Sequence, residues 1–281
     1  MSETPTFPPT SEPSNSGPTG ADRPRVTLER DGHVLLIGLD RPEKRNAADA
    51  AMLQQLALAY GELDRDPELR VGVVFAHGDH FTAGLDLADI APRIGPEGLS
   101  VVPEGGIHPW GMDGVRVRKP VVLAVQGTCL TLGIELALAS DIVVAASDTV
   151  FAQLEVARAI LPFGGATTRF ARTAGWGNAM RWMLTGDRFD AAEAHRMGLV
   201  QEVVEPGEQL ARARELAWLI AAQAPLAVQA TLANARLAVR EGEAAAEAAL
   251  PRELVRLVQT EDSRIGMQAF LSRTEPQFVG R

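Results

Sequence analysis

The stretch Gly127-Thr-Cys-Leu-Thr-Leu-Gly-Ile-Glu-Leu-Ala137 decides the fold of this chain. It follows the apolar run 121–126, which is typical of a strand buried on both faces of a sheet. It leads into 132–140, which predicts a buried helix, and then into a further strand over 142–146. Strand, helix and strand in this order imply parallel crossover units, so the stretch predicts an α/β fold.

One carboxylate, Glu135, lies inside this otherwise apolar helix. Burying an unpaired carboxylate is costly, so such a residue is either functional or part of a structural ion pair with an arginine. A second glutamate, Glu155, follows the strand 142–146 and precedes the loop 161–166. Taken alone, Glu155 is typical of an exposed carboxylate at the end of a strand. The residues by themselves leave both alternatives open.

Two glycine-bearing turns connect a predicted strand to a predicted helix. One is Phe81-Thr-Ala-Gly-Leu-Asp86, after the predicted buried strand 71–76, and the other is Gly127 to Gly133. The N–H groups at a helix N-terminus are free and lie at the positive end of the helix dipole. Two such groups that converge on one point make an oxyanion hole. A single turn of this kind is equally compatible with an ordinary connection.

The rest of the chain is divided by composition and pattern. Asp31-Gly32 predicts a hairpin between the strand runs 25–29 and 33–39, and 48–63 has helical spacing. Asp190 followed by Glu193 predicts a capping box, with Gly198 just after the helix end. Pro225 and Pro251 are predicted to start helices in a chain that is helical from about 209. We therefore expect three parts: a disordered tail over 1–23, a core domain over 24–220, and a helical region over 221–281.

Composition limits the function classes. The chain has 281 residues and a net charge of −9, which argues against a general binder of nucleic acid or membrane surfaces. Long charge-free apolar runs and a secretory h-region are both missing, so we expect no membrane span and a cytoplasmic location. The single cysteine, Cys129, allows no intrachain disulfide and is expected to be a small core residue.

The chain resembles the crotonase (enoyl-CoA hydratase/isomerase) superfamily over roughly residues 25–281. The resemblance rests on an ordered series of motifs, which are 39–47, 81–87, 127–142, 151–155, 162–169, 184–187, 198–200, 261–270 and 278–281. It implies the crotonase (ClpP-like) spiral of ββα units with a C-terminal helical trimerisation region. It also implies a homotrimer or a hexamer built as a dimer of trimers.

The resemblance also implies the site residues. The N–H groups of Leu85 and Leu132 would form the oxyanion hole for the thioester oxygen, and Glu135 and Glu155 would be the two catalytic carboxylates. The implied contacts to substrate and coenzyme A are Lys44, Arg45, Ala83, Gly84, Asp86 and Gly133. No metal or separate cofactor is implied, because coenzyme A is part of the acyl-CoA substrate.

The presence of both glutamates favours an enoyl-CoA hydratase, a hydro-lyase of acyl-CoA and fatty acid metabolism. It would add water to a 2-enoyl-CoA to give a 3-hydroxyacyl-CoA, with Glu135 acting on water and Glu155 delivering a proton to the α-carbon. One alternative is isomerisation or dehydration of a specialised acyl-CoA. Another is an acyl-CoA-binding member with lost activity, and a third is RNA binding, against which the acidic charge argues.

Four positions depart from the family pattern. Thr131-Leu132 stands where Gly-Gly is usual, Leu154 where Pro is common, and Phe163 where Gly is frequent. A backbone donor tolerates a side chain if its φ stays negative, so the oxyanion hole is expected to survive. The added bulk is expected to reshape the acyl pocket. The sequence therefore does not determine which acyl group the pocket accepts.

Overall fold

The computed structural model describes residues 23–96 and 98–281. The predicted disordered tail over 1–23 lies outside the described residues except for Arg23, which pairs with Asp40 at 2.9 Å. The division of the chain at 220–221 stays a prediction.

Nine strands and ten α-helices are found in the described part of the chain. The strands are β1 Val26–Asp31, β2 Val34–Leu39, β3 Val71–Ala76, β4 Val121–Val125, β5 Thr128–Leu130, β6 Ile142–Ala146, β7 Val150–Ala152, β8 Arg188–Asp190 and β9 Glu202–Val204. The helices are α1 Ala50–Arg65, α2 Leu87–Ile90, α3 Leu132–Ala139, α4 Ala166–Ala174, α5 Trp176–Thr185, α6 Ala191–Arg196, α7 Gln209–Ala221, α8 Pro225–Glu241, α9 Glu243–Val258 and α10 Glu261–Ser272.

Two sheets organise the strands. The larger has the order β1-β2-β3-β4-β6-β9, in which β1 pairs antiparallel with β2 and all other pairs are parallel. The smaller has the order β5-β7-β8. Successive units, β4-β5-α3 and then β6-β7-α4, each place one strand in the large sheet and one in the small sheet before a helix. This repetition is the predicted α/β spiral of ββα units.

The central strands β2, β3, β4 and β6 of the large sheet are buried on both faces, because their residues alternate between two apolar layers. On one face Val73, Val122 and Val144 pack with Ala213 and Ala217 of α7. The small alanines let α7 approach the sheet closely. The opposite face, which includes Val74, Leu123 and Val143, belongs to the main core together with residues of α1 and α3. The site described below lies on the side of this main core.

The ends of several helices and strands agree with the sequence prediction because they are set by side-chain caps or by the limits of apolar runs. The strands 71–76 and 142–146 have the predicted bounds. Helix α1 begins two residues later than predicted because the Asp49 side chain accepts the Met52 N–H at 2.9 Å and caps the helix there. Asp190 caps α6 by accepting the Glu193 N–H at 2.8 Å, but the Glu193 carboxylate pairs with Arg196, so half of the capping box forms.

The prediction that Pro251 starts a helix is wrong. Pro225 does begin α8, as predicted, but Pro251 lies inside α9. The reason is the alanine-rich run that precedes Pro251, since alanine has the highest helix propensity. The helix therefore begins at Glu243, directly after Gly242, and continues through the proline.

No single helix in the described ranges is long and apolar enough to cross a bilayer. Helices α7 and α8 meet the same criteria of length and composition only when taken together, across a bend of 106°.

A buried asparagine organises the loop that follows β3. Asn46 is fully buried and has a φ of 52°, a left-handed conformation that asparagine tolerates better than most residues. Its side-chain amide donates to the carbonyls of His77 (2.9 Å) and His80 (2.8 Å). Its backbone carbonyl accepts the Thr82 hydroxyl at 2.7 Å. Asn46 thus fixes the path of the chain from β3 into the first turn.

We predict that Asn46→Ala lowers the free energy of unfolding by about 2–4 kcal/mol, because the buried side chain is lost and the two partly buried carbonyls of His77 and His80 lose their donor. Urea denaturation with matched m-values measures this change. Asn178→Ala is the control, since Asn178 is only partly buried and its amide donates to one carbonyl, that of Ala174 at the end of α4. A loss at Asn46 no larger than that at Asn178 would contradict the role given to Asn46.

Candidate active site

A cavity of about 540 Å³ borders both glycine-bearing turns. Its walls are mostly apolar and include Leu53, Leu99, Val101 and Phe163. Its polar lining residues are Thr131, Glu135, Glu155, His108, Arg158 and Arg188. A largely apolar cavity with a few converging polar groups is the usual form of a small-molecule site.

The two turns lie side by side because their backbones are hydrogen-bonded to each other. The Thr82 N–H donates to the Thr128 carbonyl at 2.9 Å, and the Leu130 N–H donates back to the Thr82 carbonyl at 3.0 Å. Ala83 and Leu85 of the first turn and Leu132 of the second turn line the same cavity. Pairing of the backbones therefore brings the predicted oxyanion residues together.

The N–H groups of Leu85 and Leu132 have no acceptor within residues 23–96 and 98–281. Leu132 is the first residue of α3, where the helix offers its N–H no partner. Around Leu85, Ala48 donates to the Gly84 carbonyl and accepts from Asp86, so the Leu85 N–H is left out of the pairing. Two free donors on one cavity wall can stabilise a developing oxyanion.

Thr131 corrects the expectation about backbone conformation. Negative φ holds at Leu132, but Thr131 has φ 49° and ψ −110°. The chain needs this conformation to turn from β5 into α3 while the Thr131 N–H donates to the Ala152 carbonyl at 2.9 Å. The side chain fits because Gly84 faces it: a Cβ added to Gly84 would lie 2.3 Å from Thr131 Oγ1.

Glu135 projects from α3 into the cavity and is only 3% exposed. Burial raises the pKa of Glu135 to about 7, although the Ala166 N–H, donating to Oε1 at 3.1 Å, favours the charged form. The nearby charge of Glu155 raises this pKa further. Gly164 is needed for the close fit, since a Cβ there would lie 2.5 Å from Glu135 Oε2.

Glu155 is buried too, so the alternative of an exposed strand-end carboxylate is wrong. It begins a short 3-10 helix, Glu155–Arg158, that follows β7. Its Oε1 accepts from the Gln153 side-chain amide at 3.0 Å, whereas its buried Oε2 has no partner in the described part of the chain. Burial raises the pKa of Glu155. An unpartnered carboxylate oxygen beside the cavity is free to bind a proton, water or substrate.

Arg169 is the polar residue that sequence reasoning missed. It is buried on α4, and among the described residues it forms no salt bridge, so the predicted alternative of a structural ion pair with Glu135 is not found. Its guanidinium donates instead to the carbonyls of Trp110 (2.6 Å) and Gly164 (3.3 Å). Burial lowers the pKa of Arg169 to about 10, so it remains a cation at neutral pH.

Trp110 connects Arg169 to the second turn. The indole N–H of this buried residue donates to the Leu132 carbonyl at 3.1 Å, and His108 contacts its ring edge. Arg169 therefore joins two segments, 108–112 and 164–166, that enclose Glu135. The motif around Arg169 was visible in the sequence, but its acceptors are backbone carbonyls, which no sequence pattern marks.

Ala83 lines the cavity, and the other five predicted contact residues, Lys44, Arg45, Gly84, Asp86 and Gly133, lie outside its lining. Lys44 and Arg45 are exposed at the short 3-10 helix Pro42–Lys44. The carbonyl of Arg45 accepts the Ala83 N–H at 2.9 Å, which places both basic residues beside the first turn. Asp86 pairs with Arg41 at 2.8 Å.

Gly133 has a packing role. A Cβ at Gly133 would lie 2.7 Å from Thr82 Cγ2 and 3.0 Å from Cys129 Sγ, so the absence of a side chain lets α3 approach the first turn. Cys129 itself is buried, as predicted. No group of three or more His, Cys, Asp or Glu residues that could hold a metal ion occurs in the ranges the structure describes.

Comparison with known proteins gives one consistent family. The model of the enoyl-CoA hydratase/isomerase family matches residues 29–281. The crystal structure of a probable enoyl-CoA hydratase/isomerase from Mycobacterium abscessus is similar at 60% identity with a TM-score of 0.89, covering 92% of this chain and 99% of that one.

Two curated relatives cover the chain almost completely. The enoyl-CoA hydratase EchA19 of Mycobacterium tuberculosis is 33% identical over 262 residues, which is 92% of this chain and 97% of the relative. The carnitinyl-CoA dehydratase of Salmonella heidelberg is 35% identical over 263 residues, which is 90% of this chain and 98% of the relative.

The raised pKa of Glu135 predicts a stability change with pH. A glutamate in the unfolded chain has a pKa of about 4.5, and the folded value is about 7, so folding favours the protonated form. The stability from the neutral carboxyl is present below the unfolded pKa and is lost as pH rises through about 7. The Glu135→Gln side chain cannot ionise. The free energy of unfolding of this variant should therefore rise relative to that of wild type by up to about 3 kcal/mol between about pH 4.5 and pH 8.

Urea denaturation at several pH values measures this difference. Glu193→Gln is the control, because the hydrogen bond from Arg196 lowers the pKa of Glu193. Above about pH 6 its carboxylate is ionised in both states, so its difference from wild type should stay constant from there to pH 8, where that of Glu135→Gln still grows. A constant difference for Glu135→Gln as well would show that Glu135 is not titrating near pH 7.

Proposed function

The chain belongs to the enoyl-CoA hydratase/isomerase family, the crotonase superfamily, and we propose that it is an enoyl-CoA hydratase. Its substrate would be a 2-enoyl-CoA and its product the 3-hydroxyacyl-CoA. The observation that carries the proposal is the meeting of two buried glutamates with two free backbone N–H groups in one cavity. Glu135 and Glu155 would be the catalytic pair.

The oxyanion hole would activate the substrate. The thioester carbonyl oxygen would accept hydrogen bonds from the N–H groups of Leu85 and Leu132. These donors withdraw electron density from the conjugated double bond and make the β-carbon electrophilic. They also stabilise the enolate that forms, and in other enzymes one such donor contributes about 10²–10³ in rate. No separate metal or organic cofactor takes part in this scheme.

The two glutamates would divide the proton transfers. Ionised Glu135 takes a proton from water as the water oxygen bonds to the β-carbon, and the electrons of the double bond move to the thioester oxygen. Protonated Glu155 then delivers its proton to the α-carbon of this enolate. One water is added in total, and passage of the proton from Glu135 back to Glu155 through solvent restores the starting state. A pKa near 7 suits Glu135 to proton exchange at neutral pH, and burial raises the pKa of Glu155 as well.

Neighbouring groups would hold Glu135 in position. The Ala166 N–H fixes one carboxylate oxygen, and Gly164 leaves the space in which the other lies. Arg169 secures the Gly164 carbonyl without pairing with the carboxylate. A direct salt bridge would keep Glu135 ionised and would engage its carboxylate oxygens. Without one, the carboxylate is able to exchange protons.

A second candidate function is dehydration of a specialised 3-hydroxyacyl-CoA. The similarity to carnitinyl-CoA dehydratase favours it. The same four groups would act in reverse, with Glu155 removing the α-proton and Glu135 protonating the departing hydroxyl. A panel of enoyl- and hydroxyacyl-CoA esters, followed by mass spectrometry, separates the two functions. Leu132 and Phe163 add bulk at the acyl cavity, so branched or cyclic acyl groups belong in the panel.

The assembly proposed is a homotrimer or a dimer of trimers in the cytoplasm, with the helical region 221–281 forming the contact. This region exposes many large apolar side chains, namely Leu250, Leu254, Val255, Val258, Met267, Phe270 and Leu271. Phe270 is 79% exposed and Leu271 75%. Monomeric proteins rarely leave such contiguous apolar surface in water, so its burial between subunits is expected.

We predict that Glu135→Gln and Glu155→Gln each lower kcat for hydration of crotonyl-CoA, or of a longer 2-enoyl-CoA, by about 10²–10⁴. Loss of the double-bond absorbance measures the rate. Glu62→Gln is the control, because Glu62 pairs with Arg30 on the surface and should leave the rate unchanged. Full activity in either active-site variant would remove that residue from the mechanism, and an inactive wild type would exclude a general hydratase.

We predict that Phe270→Glu reduces the native mass to that of a smaller species, because a charge at an apolar contact between subunits is costly. Size-exclusion chromatography with light scattering measures the mass. Leu28→Glu is the matched control, since Leu28 is 46% exposed on β1, away from the C-terminal helices. An unchanged mass for Phe270→Glu would place the contact elsewhere.

A further inference from the structure

Thr131 has a less favourable backbone conformation than three other non-glycine residues with positive φ, namely Arg45, Ala159 and Arg273. Arg45, Ala159 and Arg273 have ψ values of 40°, 30° and 42°, within the left-handed helical basin. Thr131 has ψ −110°, outside that basin. It is also β-branched, which makes positive φ especially unfavourable. A glycine would adopt this conformation without strain.

The position of the Thr131 side chain indicates what offsets this strain. Thr131 immediately precedes Leu132, one oxyanion donor, and its Oγ1 packs against Gly84, which immediately precedes Leu85, the other donor. In the contact with Gly84 the hydroxyl oxygen is the nearest of the side-chain atoms, ahead of Cβ and Cγ2. The hydroxyl therefore lies next to Gly84, and both Thr131 and Gly84 immediately precede a donor residue in the chain.

The hydroxyl has no other use in the described chain. Thr131 lines the cavity and is partly exposed, and its Oγ1 forms no hydrogen bond within residues 23–96 and 98–281. By contrast, the neighbouring Thr82 hydroxyl is buried and bonds to the Asn46 carbonyl and the Gly84 N–H. Strained residues that persist at a site are usually retained for its chemistry.

From these observations we infer that the Thr131 hydroxyl is a third donor to the thioester oxygen, beside the N–H groups of Leu85 and Leu132. The inference rests on the proposed action on acyl thioesters. A hydroxyl can rotate toward the oxygen as negative charge develops, so its contribution is greatest in the enolate-like transition state. The step involves a hydrogen bond only, and no proton is lost from Thr131.

Three substitutions separate the hydroxyl from the shape of the side chain. Thr131→Val keeps the branched shape and removes the hydroxyl, and Thr131→Ser keeps the hydroxyl and removes the methyl group. Thr131→Gly removes both and relieves the positive φ. We expect kcat to fall about ten- to a hundredfold in the Val and Gly variants, less than the 10²–10³ lost with a backbone donor, and to stay within about threefold of wild type in the Ser variant.

A spectroscopic probe tests the donor without turnover. Bound cinnamoyl-CoA should absorb at longer wavelength than free cinnamoyl-CoA, because donors to its carbonyl polarise the conjugated system. The red shift should be smaller in Thr131→Val and Thr131→Gly and retained in Thr131→Ser. Thr131→Gly should also have a Tm at or above that of wild type, since strain is relieved. A variant that is no less stable but less active is not expected from a purely structural residue.

Definite results overturn the inference. The first is a kcat and a red shift in Thr131→Gly that equal those of wild type. The second is an equal loss of kcat in Thr131→Ser and Thr131→Val. The third is wild-type protein that binds cinnamoyl-CoA without any red shift. Failure of the proposed hydratase is distinguishable, because it appears as absent hydration in wild type while the red shift and its dependence on the hydroxyl persist.

Discussion

Two backbone hydrogen bonds, from Thr82 to Thr128 and from Leu130 to Thr82, hold the two glycine-bearing turns together, and the site depends on them. Each turn begins just beyond a strand of the parallel sheet, and β3 and β4 are neighbours in that sheet. Pairing of the strands therefore extends into pairing of the turns. It places two free N–H groups on one wall, and α3, which starts at the second turn, carries Glu135 into the same cavity. A turn without its neighbour would be an ordinary connection.

Desolvation then gives the site its electrostatic character. Both glutamates lie in largely apolar surroundings that raise their pKa values, and each receives limited hydrogen bonding, from the Ala166 N–H and from the Gln153 amide. Arg169 is buried nearby, yet it is satisfied by backbone carbonyls. Its charge acts on Glu135 through space and lowers that carboxyl's pKa without occupying its oxygens. The charge of Glu155 acts in the opposite direction and raises the pKa of Glu135.

The sequence predicts those features whose cause is local. The strand 142–146 could be located because it is a short apolar run, and the Asp190 cap because its partner is three residues away. The α/β spiral was predicted from such local patterns and from the family resemblance, and the structure confirms it. The helix start predicted at Pro251 was wrong because the helix propensity of the preceding alanines outweighs the effect of one proline. Arg169 was missed because its acceptors are carbonyls distant in sequence, and the φ of Thr131 because only the turn into α3 requires it. The roles of Lys44 and Arg45 stay predictions.

The contact between Gly84 and Thr131 also restricts how this chain can change over evolutionary time. Any side chain at position 84 would overlap the Thr131 hydroxyl, whereas a glycine at 131 would remove that obstacle. The effect of a substitution at one position therefore depends on the residue at the other, which is epistasis in its simplest steric form. A lineage that carries threonine at 131 therefore has two obstacles to a side chain at 84, this overlap and the φ of 99° at Gly84, and loss of the hydroxyl removes only the first.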